Sequence, residues 1–244
     1  MRVPRVHVRA DLAVGSAVAL PDDAAHHLLR VLRLPDGADV TLFNGAPGDW
    51  TGRLEVTGKR RARVHVTGFE PRDTEPPLHV TLVQGISRGQ RMDYTLEKCV
   101  ELGVATVVPV VMARTQAAPA GERVARKAHH WAGVLEAAAA QCGRTRMPEL
   151  MPQVTFDAWL AGATPGEHPH VLLDPGSETG PSALPRMERL TLLAGPEGGF
   201  SPGERDAAYA AGCTGLRLGP RVLRTETAAV AALAALQVLF GDLG

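Results

Sequence analysis

The sequence predicts an α/β protein in which a small β-barrel precedes a mostly parallel sheet. Up to about residue 70, short stretches alternate apolar and polar residues between turn residues, which is typical of antiparallel strands. Residues 70–77 (EPRDTEPP) have the charged, proline-rich composition of a linker. After them, short apolar runs alternate with helical segments, which indicates a parallel sheet with helices on both faces. We therefore predict two domains, residues 1–72 and 73–244.

The elements of the first domain follow from this alternation. Asn44-Gly45 and Gly58-Lys59 are turn signals between extended stretches. One segment, residues 24–32, has the pattern of a helical turn. The predicted strands are residues 2–8, 38–43, 50–57 and 61–68.

The second domain is predicted to alternate strand and helix. Gly103 and Gly143 stand where helices end, and Ser201, Pro202 and Glu204 form a capping box that begins a helix ending at residue 211. Residues 154–170 are rich in Gly and Pro and are predicted as a linker. The predicted strands are residues 78–84, 106–112, 170–174, 190–194 and 216–218, and the other helices are residues 90–102, 122–141 and 225–240.

Bulk properties exclude several classes of protein. No run approaches the roughly 18 apolar residues of a membrane span, and the N-terminus lacks the apolar core of a signal peptide, so we expect a cytoplasmic protein. Cys99, Cys142 and Cys213 have no metal-ligand spacing, so we expect free thiols and no metal. Net charge is zero, but residues 1–72 hold 11 basic against 8 acidic residues and residues 151–244 hold 6 against 10. The basic excess lies in the first domain.

Two loops near the C-terminus indicate a ligand site. Residues 192–200 (LLAGPEGGF) and 218–228 (LGPRVLRTETA) each run from a short apolar strand through a Gly/Pro-rich turn towards a helix. Such loops at neighbouring strand ends converge on one crevice in an open α/β sheet. Ordinary strand–turn–helix connections are the alternative.

Together these loops resemble the signature loops of the SPOUT methyltransferases, the knotted class that binds S-adenosylmethionine. The chain further resembles the family that methylates N3 of a uridine in bacterial 16S ribosomal RNA. Three more blocks fit that family: residues 27–33 (HLLRVLR) with 43–45 (FNG), residues 88–103, and residues 136–148 (EAAAAQCGRTRMP). The resemblance implies a C-terminal trefoil knot, an N-terminal PUA-like RNA-binding barrel, a homodimer, and the small ribosomal subunit as partner.

The resemblance also implies site residues. Methyl transfer to N3 requires loss of its proton and stabilisation of the charge left on the uracil oxygens. Arg224 and Glu226 are the predicted catalytic pair, and an ion pair at a helix N-terminus is the alternative for them. For the leucines among the predicted cofactor-binding residues, a role in the core is the alternative, and for Glu197 the alternative is capping of the turn. The predicted cofactor-binding residues are Leu172, Leu173, Gly195, Glu197, Gly198, Gly199, Leu218, Gly219, Val222, Leu223, Thr225, Thr227 and Ala228.

RNA contacts are expected from basic residues in both domains, although a solvated surface role is the alternative for each of them. His129 and His130 lie in the middle of a predicted helix and are interpreted as structural. The predicted RNA-binding residues are His26, Arg30, Arg33, Arg88, Arg91, Arg114, Arg144 and Arg146.

The predicted activity is S-adenosylmethionine-dependent methylation of N3 of a uridine in 16S ribosomal RNA. Two other functions stay open: a SPOUT enzyme that modifies another RNA position, and a non-catalytic RNA-binding assembly factor. The chain has neither the Gly-x-x-x-x-Gly-Lys-Ser/Thr phosphate loop nor the Gly-x-Gly-x-x-Gly of dinucleotide enzymes, so hydrolase and dehydrogenase functions have no specific support.

Overall fold

The chain folds into two compact units in a computed structural model that describes residues 3–116 and 118–244. The first unit comprises the described residues up to Glu75 together with Ala139–Met147. The second comprises Pro76–Ala138 and Pro148–Gly244. The sequence did not predict that 139–147 joins the first unit. Residue 2, predicted as the start of a strand, lies outside the described residues.

The first unit contains a five-stranded sheet and one helical segment. The elements are β1 (Arg5–His7), β2 (Ala17–Ala19), α1 (Asp22–His26), β3 (Asp39–Phe43), β4 (Asp49–Gly58) and β5 (Arg61–Glu70). The strand order is β1-β3-β4-β5-β2, in which β1 and β3 are parallel and the other pairs are antiparallel. The helix predicted over residues 24–32 is α1 followed directly by a π-helical turn, His27–Val31.

The alternating residues of these strands form the core of the first unit. Leu54 on β4 and Val64 and Val66 on β5 are buried, and so are Ala25 and Leu28 of the helical segment. The residues between them on the strands face solvent, which is the pattern of a sheet with one buried face. Strand β2 was not predicted, because three residues are too few to establish an alternation.

Residues 139–147 are held in the first unit by buried arginines. The Arg5 side chain is 6% exposed and donates hydrogen bonds to the carbonyl oxygens of Ala139 (3.2 Å) and Arg144 (3.1 Å). Arg5 also pairs with the carboxylate of Asp49, while Arg144 pairs with that of Glu75. Buried guanidinium groups require such partners, so this segment is an integral part of the unit.

The second unit contains a seven-stranded parallel sheet with helices between its strands. The elements are β6 (His79–Gly85), α2 (Gln90–Glu101), β7 (Val104–Val111), α3 (Glu122–Cys142, whose last four residues belong to the first unit), β8 (Glu149–Leu150), β9 (Val154–Thr155), α4 (Phe156–Ala161), β10 (His170–Leu173), β11 (Arg189–Ala194), α5 (Pro202–Ala210), β12 (Thr214–Leu216) and α6 (Thr225–Phe240). The strand order is β12-β10-β11-β6-β7-β8, and β9 also pairs with β7. The final helix, α6, is largely apolar.

The predicted α/β class is confirmed, with corrections to individual elements. The capping box is present: Ser201 Oγ accepts from the Glu204 backbone N–H, and Glu204 accepts from that of Ser201. Strand β12 ends at Leu216 rather than at residue 218. The region predicted as a linker, residues 154–170, instead contains strand β9, helix α4 and the first residue of β10.

Two further findings concern the described part of the chain. None of its helices combines the length and apolarity needed to cross a membrane. It also brings together no group of three or more His, Cys, Asp or Glu side chains that could hold a metal ion.

Candidate cofactor cavity and catalytic residues

A cavity of about 380 Å³ lies at the carboxyl ends of β10, β11 and β12 in the second unit. It is lined by residues 173–175, 194–200, 216 and 218–219, residues 221–225, and by Arg114, Arg205 and Ala228. In a parallel sheet this edge collects the loops that follow the strands, which is where ligands of open α/β folds bind. The two loops singled out in the sequence therefore meet at one cavity.

The glycines of the first loop make its close packing possible. A Cβ on Gly198 would lie 2.8 Å from the Cβ of Arg114, and one on Gly195 would lie 3.0 Å from the backbone of Gly199. Gly199 itself has φ +65°, a conformation that favours glycine. The Arg114 Nη1 donates to the Gly198 carbonyl at 2.8 Å. Any side chain at Gly198 would therefore displace the arginine that supports the loop.

Thr225 joins the two loops. Its hydroxyl donates to the Gly195 carbonyl at 2.6 Å and accepts from Gln84 Nε2 at 3.3 Å. Gln84 is fully buried at the end of β6 and also donates to the carbonyls of Gly85 (2.9 Å) and Gly195 (3.4 Å). A hydrogen-bond network thus fixes the start of α6 against the loop after β11.

Glu197 is anchored by basic groups of α2 and the turn before it. Its Oε1 accepts from the Arg88 backbone N–H at 2.7 Å and from Arg91 Nη1 at 3.2 Å. Burial alone would raise the pKa of Glu197, but these hydrogen bonds, one from its own backbone N–H and the charge of Arg91 together lower the pKa below its usual value. Glu197 is therefore a carboxylate that fixes the loop, and it also lines the cavity.

Asp174, which the sequence did not single out, places a second carboxylate in the cavity wall. Its Oδ1 accepts from the Gly176 backbone N–H at 2.8 Å and its Oδ2 accepts from the Tyr209 hydroxyl at 2.7 Å. Burial and the adjacent Asp174 carboxylate raise the pKa of Tyr209 to about 12, so this hydroxyl stays a donor. A polar residue directly after the buried strand β10 was the available sequence signal.

Arg224 and Glu226 occupy different surroundings at the start of α6. Arg224 is the exposed residue that precedes the helix, and it lines the cavity without an ion-pair partner among the described residues. Glu226 does not line the cavity, and its Oε1 lies 3.9 Å from Arg91 Nε. Its Oε2 is buried without a hydrogen-bond partner in the described part of the chain. The alternative of an Arg224–Glu226 ion pair is not observed.

Most predicted cofactor residues line the cavity. Leu172 instead is fully buried in the core beside Val83 and Leu193, which agrees with its alternative core role, and Thr227 is exposed outside the cavity. Arg205 and Arg221 line it without having been predicted. The predicted residues that do line it are Leu173, Gly195, Glu197, Gly198, Gly199, Leu218, Gly219, Val222, Leu223, Thr225 and Ala228.

The predicted RNA-binding residues of the second unit lie near the cavity loops. Arg88, Arg91 and Arg114 are exposed, and Arg114 is part of the cavity wall. Arg88 Nη1 donates to Gln116 at 3.3 Å, while Arg91 faces Glu197 and Glu226. These contacts leave much of each guanidinium accessible to a ligand.

The predicted RNA-binding residues of the first unit divide into two groups. His26, Arg30 and Arg33 are exposed and form no ion pair within the described residues, and Arg33 has φ +54°. Arg146 is half exposed and pairs with Asp73 at 3.0 Å. Arg144 differs, because its side chain is 6% exposed and engaged with Glu75. Its surroundings are those of a packing residue rather than of a phosphate contact.

Comparisons with known proteins agree with this architecture. Residues 74–237 match the family model described as RNA methyltransferase domain, and residues 20–67 match that described as RNA methyltransferase PUA domain. The chain superimposes with a TM-score of 0.96 on a methyltransferase from Legionella pneumophila solved with the cofactor SAM, at 36% identity and with all of both chains covered.

Two similar proteins have the same name, ribosomal RNA small subunit methyltransferase E. Ribosomal RNA small subunit methyltransferase E from Neisseria gonorrhoeae, solved with S-adenosyl methionine, gives a TM-score of 0.91 at 36% identity over all of both chains. The protein of that name from Mycobacterium tuberculosis is 32% identical over 92% of this chain and 87% of its own. The family resemblance seen in the sequence is confirmed, and the chain belongs to the RNA methyltransferase family, among the proteins named ribosomal RNA small subunit methyltransferase E.

Proposed function

We propose that this protein transfers the methyl group of S-adenosylmethionine to N3 of a uridine in the 16S ribosomal RNA of the small ribosomal subunit. The observation that carries the proposal is the cavity at the carboxyl ends of β10, β11 and β12, in which the two motif loops meet. At this cavity Arg224 presents a guanidinium that has no ion-pair partner among the described residues. The relatives named ribosomal RNA small subunit methyltransferase E support the choice of substrate.

The residues of the cavity fit S-adenosylmethionine. Its volume of about 380 Å³ lies within the range of roughly 300–1,000 Å³ that small-molecule sites occupy. Gly198 and Gly199 expose backbone to a ligand, and Asp174 supplies carboxylate oxygens that can accept from hydroxyl or amino groups. When bound, S-adenosylmethionine supplies a methyl group that its sulfonium makes electrophilic.

The chain supplies the groups that prepare the uracil. Arg224 is assigned to the uracil oxygens, where its guanidinium stabilises the negative charge left when N3 loses its proton. Glu226 is assigned as the acceptor of that proton, because its Oε2 has no hydrogen-bond partner among the described residues. Arg91 Nε lies 3.9 Å from Glu226 Oε1 and holds that oxygen in place, so Oε2 is the oxygen assigned to the proton.

The proposal includes a homodimer that acts in the cytoplasm, where ribosomal subunits are assembled. Its support in the second unit is a set of apolar side chains at the end of the chain: Val238, Leu239 and Leu243 are 54%, 42% and 50% exposed. Large apolar side chains exposed close together in sequence fit a surface that a partner covers. Light scattering coupled to size exclusion should give twice the mass of one chain, and a monomer would contradict this part of the proposal.

The function is tested by methyl transfer from labelled S-adenosylmethionine to small subunits from a strain that lacks the enzyme. Nucleoside analysis should recover the label as N3-methyluridine. Arg224→Ala and Glu226→Gln should each lower kcat by about 10²–10⁴, the usual contribution of acid–base and charge-stabilising groups, while calorimetry shows cofactor binding retained. Arg186→Ala and Glu188→Gln, both exposed, serve as matched controls. Label in another nucleoside would contradict the assigned substrate.

A further inference from the structure

Helix α3 carries a basic groove that the cofactor cavity does not include. The groove has a volume of about 570 Å³ and is lined by Ala118, Pro119, Arg123, Arg126, Lys127 and His130; we call it the α3 groove. The four polar residues that line it are two arginines, a lysine and a histidine. On a helix, positions 123, 126, 127 and 130 share one face, because they are separated by three or four residues. The face is therefore continuous rather than a chance cluster of unrelated loops.

The positive charge of this face is largely uncompensated. Arg123 and Arg126 are exposed and form no ion pair within the described residues. Glu122 stands one turn before Arg126 on α3, but the two form no ion pair among the described residues, and no described lining residue of the α3 groove is acidic. Unpaired guanidinium groups on a concave surface attract an anion with several oxygens, because their donors match phosphate geometry.

Other contacts hold the groove in shape. The Lys127 ammonium lies 6.0 Å from the centre of the buried Trp131 ring, so its stem packs along the helix. His130 Nε2 lies 3.0 Å from Asp93 Oδ1 of helix α2. The carbonyl of Pro119 accepts from Gln153 Nε2 at 3.2 Å. The two arginines thus extend from a fixed base, which lowers the entropic cost of binding a ligand.

Two short chain segments connect the α3 groove with the cofactor cavity. Arg114 lines the cavity and Ala118 lines the groove, four residues later, so their Cα atoms are at most about 14 Å apart. In addition, Asp93, which contacts His130, follows by two residues the Arg91 that faces Glu197 of the cavity loop. A ligand with several anionic groups can therefore extend from the cavity to the groove.

We propose that the α3 groove binds the phosphate backbone of the substrate RNA on one side of the target uridine. The inference rests on the proposed function, whose substrate is an RNA, and adds a site that sets the position of the strand relative to the cavity. Arg123 and Arg126 bind phosphates, and Lys127 adds positive charge beside them. The contacts read no base, so they contribute affinity and alignment rather than sequence selection.

The test reverses the charge of the groove and of a matched surface. Arg123→Glu/Arg126→Glu changes the net charge by the same amount as Arg186→Glu/Arg189→Glu, whose exposed arginines lie at the opposite, amino-terminal end of strand β11. A milder variant, Arg123→Ala/Arg126→Ala, removes the contacts without introducing acid. Each variant is assayed for methyl transfer to unmethylated small subunits, for binding to the same subunits between about 50 and 200 mM salt, and for S-adenosylmethionine affinity.

The groove reversal is expected to raise KM for the subunits by on the order of tenfold or more with kcat nearly unchanged, and to reduce the slope of log affinity against log salt by about 1–2. The alanine pair should move both quantities in the same direction. The control pair should raise KM by less than about threefold, as for a change in net charge alone. Affinity for S-adenosylmethionine should be the same in all variants.

Two results would overturn the inference: a groove reversal that behaves like the control pair, or a loss of S-adenosylmethionine affinity in the groove variants. The failure of the proposed function has a different signature, namely a wild-type protein that methylates no subunit RNA. If such a protein bound the subunits with the same dependence on Arg123 and Arg126, the groove would stand and the assigned reaction would fall.

Discussion

Replacing Thr225 by Val removes the hydroxyl that joins the two cavity loops and keeps the shape of the side chain. In the wild type this hydroxyl donates to the Gly195 carbonyl at 2.6 Å and accepts from Gln84 Nε2 at 3.3 Å. After the substitution, Gln84 Nε2 still donates to Gly85 at 2.9 Å, and Gly195 keeps a contact of 3.4 Å with it. Ser87 Oγ loses a contact of 3.4 Å with the hydroxyl but keeps one of 3.4 Å with the Gly85 carbonyl. The group that loses its nearest partner is therefore the Gly195 carbonyl.

The loss of stability can be estimated from the hydrogen bonds that are removed and kept. A buried polar group left without its partner costs about 1–3 kcal/mol, and the remaining contact to Gln84 places this case near the lower end. We expect the free energy of unfolding to fall by about 1–2 kcal/mol. Since Gly195 lines the cavity, freeing its carbonyl should also lower the affinity for S-adenosylmethionine by about tenfold, which corresponds to about 1.4 kcal/mol.

Chemical denaturation followed by circular dichroism, and calorimetric titration with S-adenosylmethionine, measure the two effects. Thr225→Ser is the matched control because it keeps the hydroxyl and loses a methyl group, and it should retain most of the cofactor affinity. If Thr225→Val bound the cofactor as well as the wild type, or if Thr225→Ser lost as much as Thr225→Val, the hydroxyl would not join the loops as argued.

Three further predictions concern the same structure. Gly198→Ala places a Cβ 2.8 Å from that of Arg114, so overpacking should cost about 1–3 kcal/mol of stability and weaken cofactor binding in calorimetry; unchanged binding would refute the close approach. The pKa of Glu197 is lowered in the folded state, so the proton is held less tightly there than in the unfolded chain; its stabilisation is complete above pH 4.5 and is lost as pH falls through the folded pKa. Denaturation curves of the wild type and of Glu197→Gln should therefore converge in acid, and a constant difference between pH 7 and pH 3 would contradict this. Arg144→Ala leaves a carboxylate without its partner and should cost about 3 kcal/mol, whereas Arg146→Ala, at a side chain 50% exposed, should cost less than about 1 kcal/mol; equal losses in thermal unfolding would refute the distinction.

Regular patterns made much of the fold predictable from the sequence. The alternation around Leu54 and Val64 identifies strands with one buried face, and the capping box at Ser201 identifies a helix start, because both signals are local. Strands β8 and β9 have two residues each and owe their existence to pairing with β7, so no periodicity could reveal them. Helix α4 had a local signal, the cap at Thr155, which accepts from the Ala158 N–H, but the Gly and Pro residues around it favoured a linker.

The cavity shows the same division between local and tertiary information. The motif loops led to the prediction of Gly195 and Thr225 as cofactor-binding residues, and both line the cavity. Asp174 follows the end of β10, and Arg221 lies in the loop between β12 and α6. Both line the cavity because the folded sheet brings the two segments together. Arg144 depends on the same tertiary information: its basic stretch contains no acid, and Glu75, distant in sequence, lies beside it only in the folded chain.

The discontinuity of the first unit has a consequence for synthesis on the ribosome. Arg5 is translated 134 residues before Ala139 and 139 residues before Arg144, whose carbonyls its buried guanidinium binds. Closing a contact between residues so far apart costs loop entropy that no local pairing offsets, so the unit cannot be completed while the chain between them is still being made. The unit translated first must wait, with Arg5 lacking these partners, until the ribosome has released residue 147.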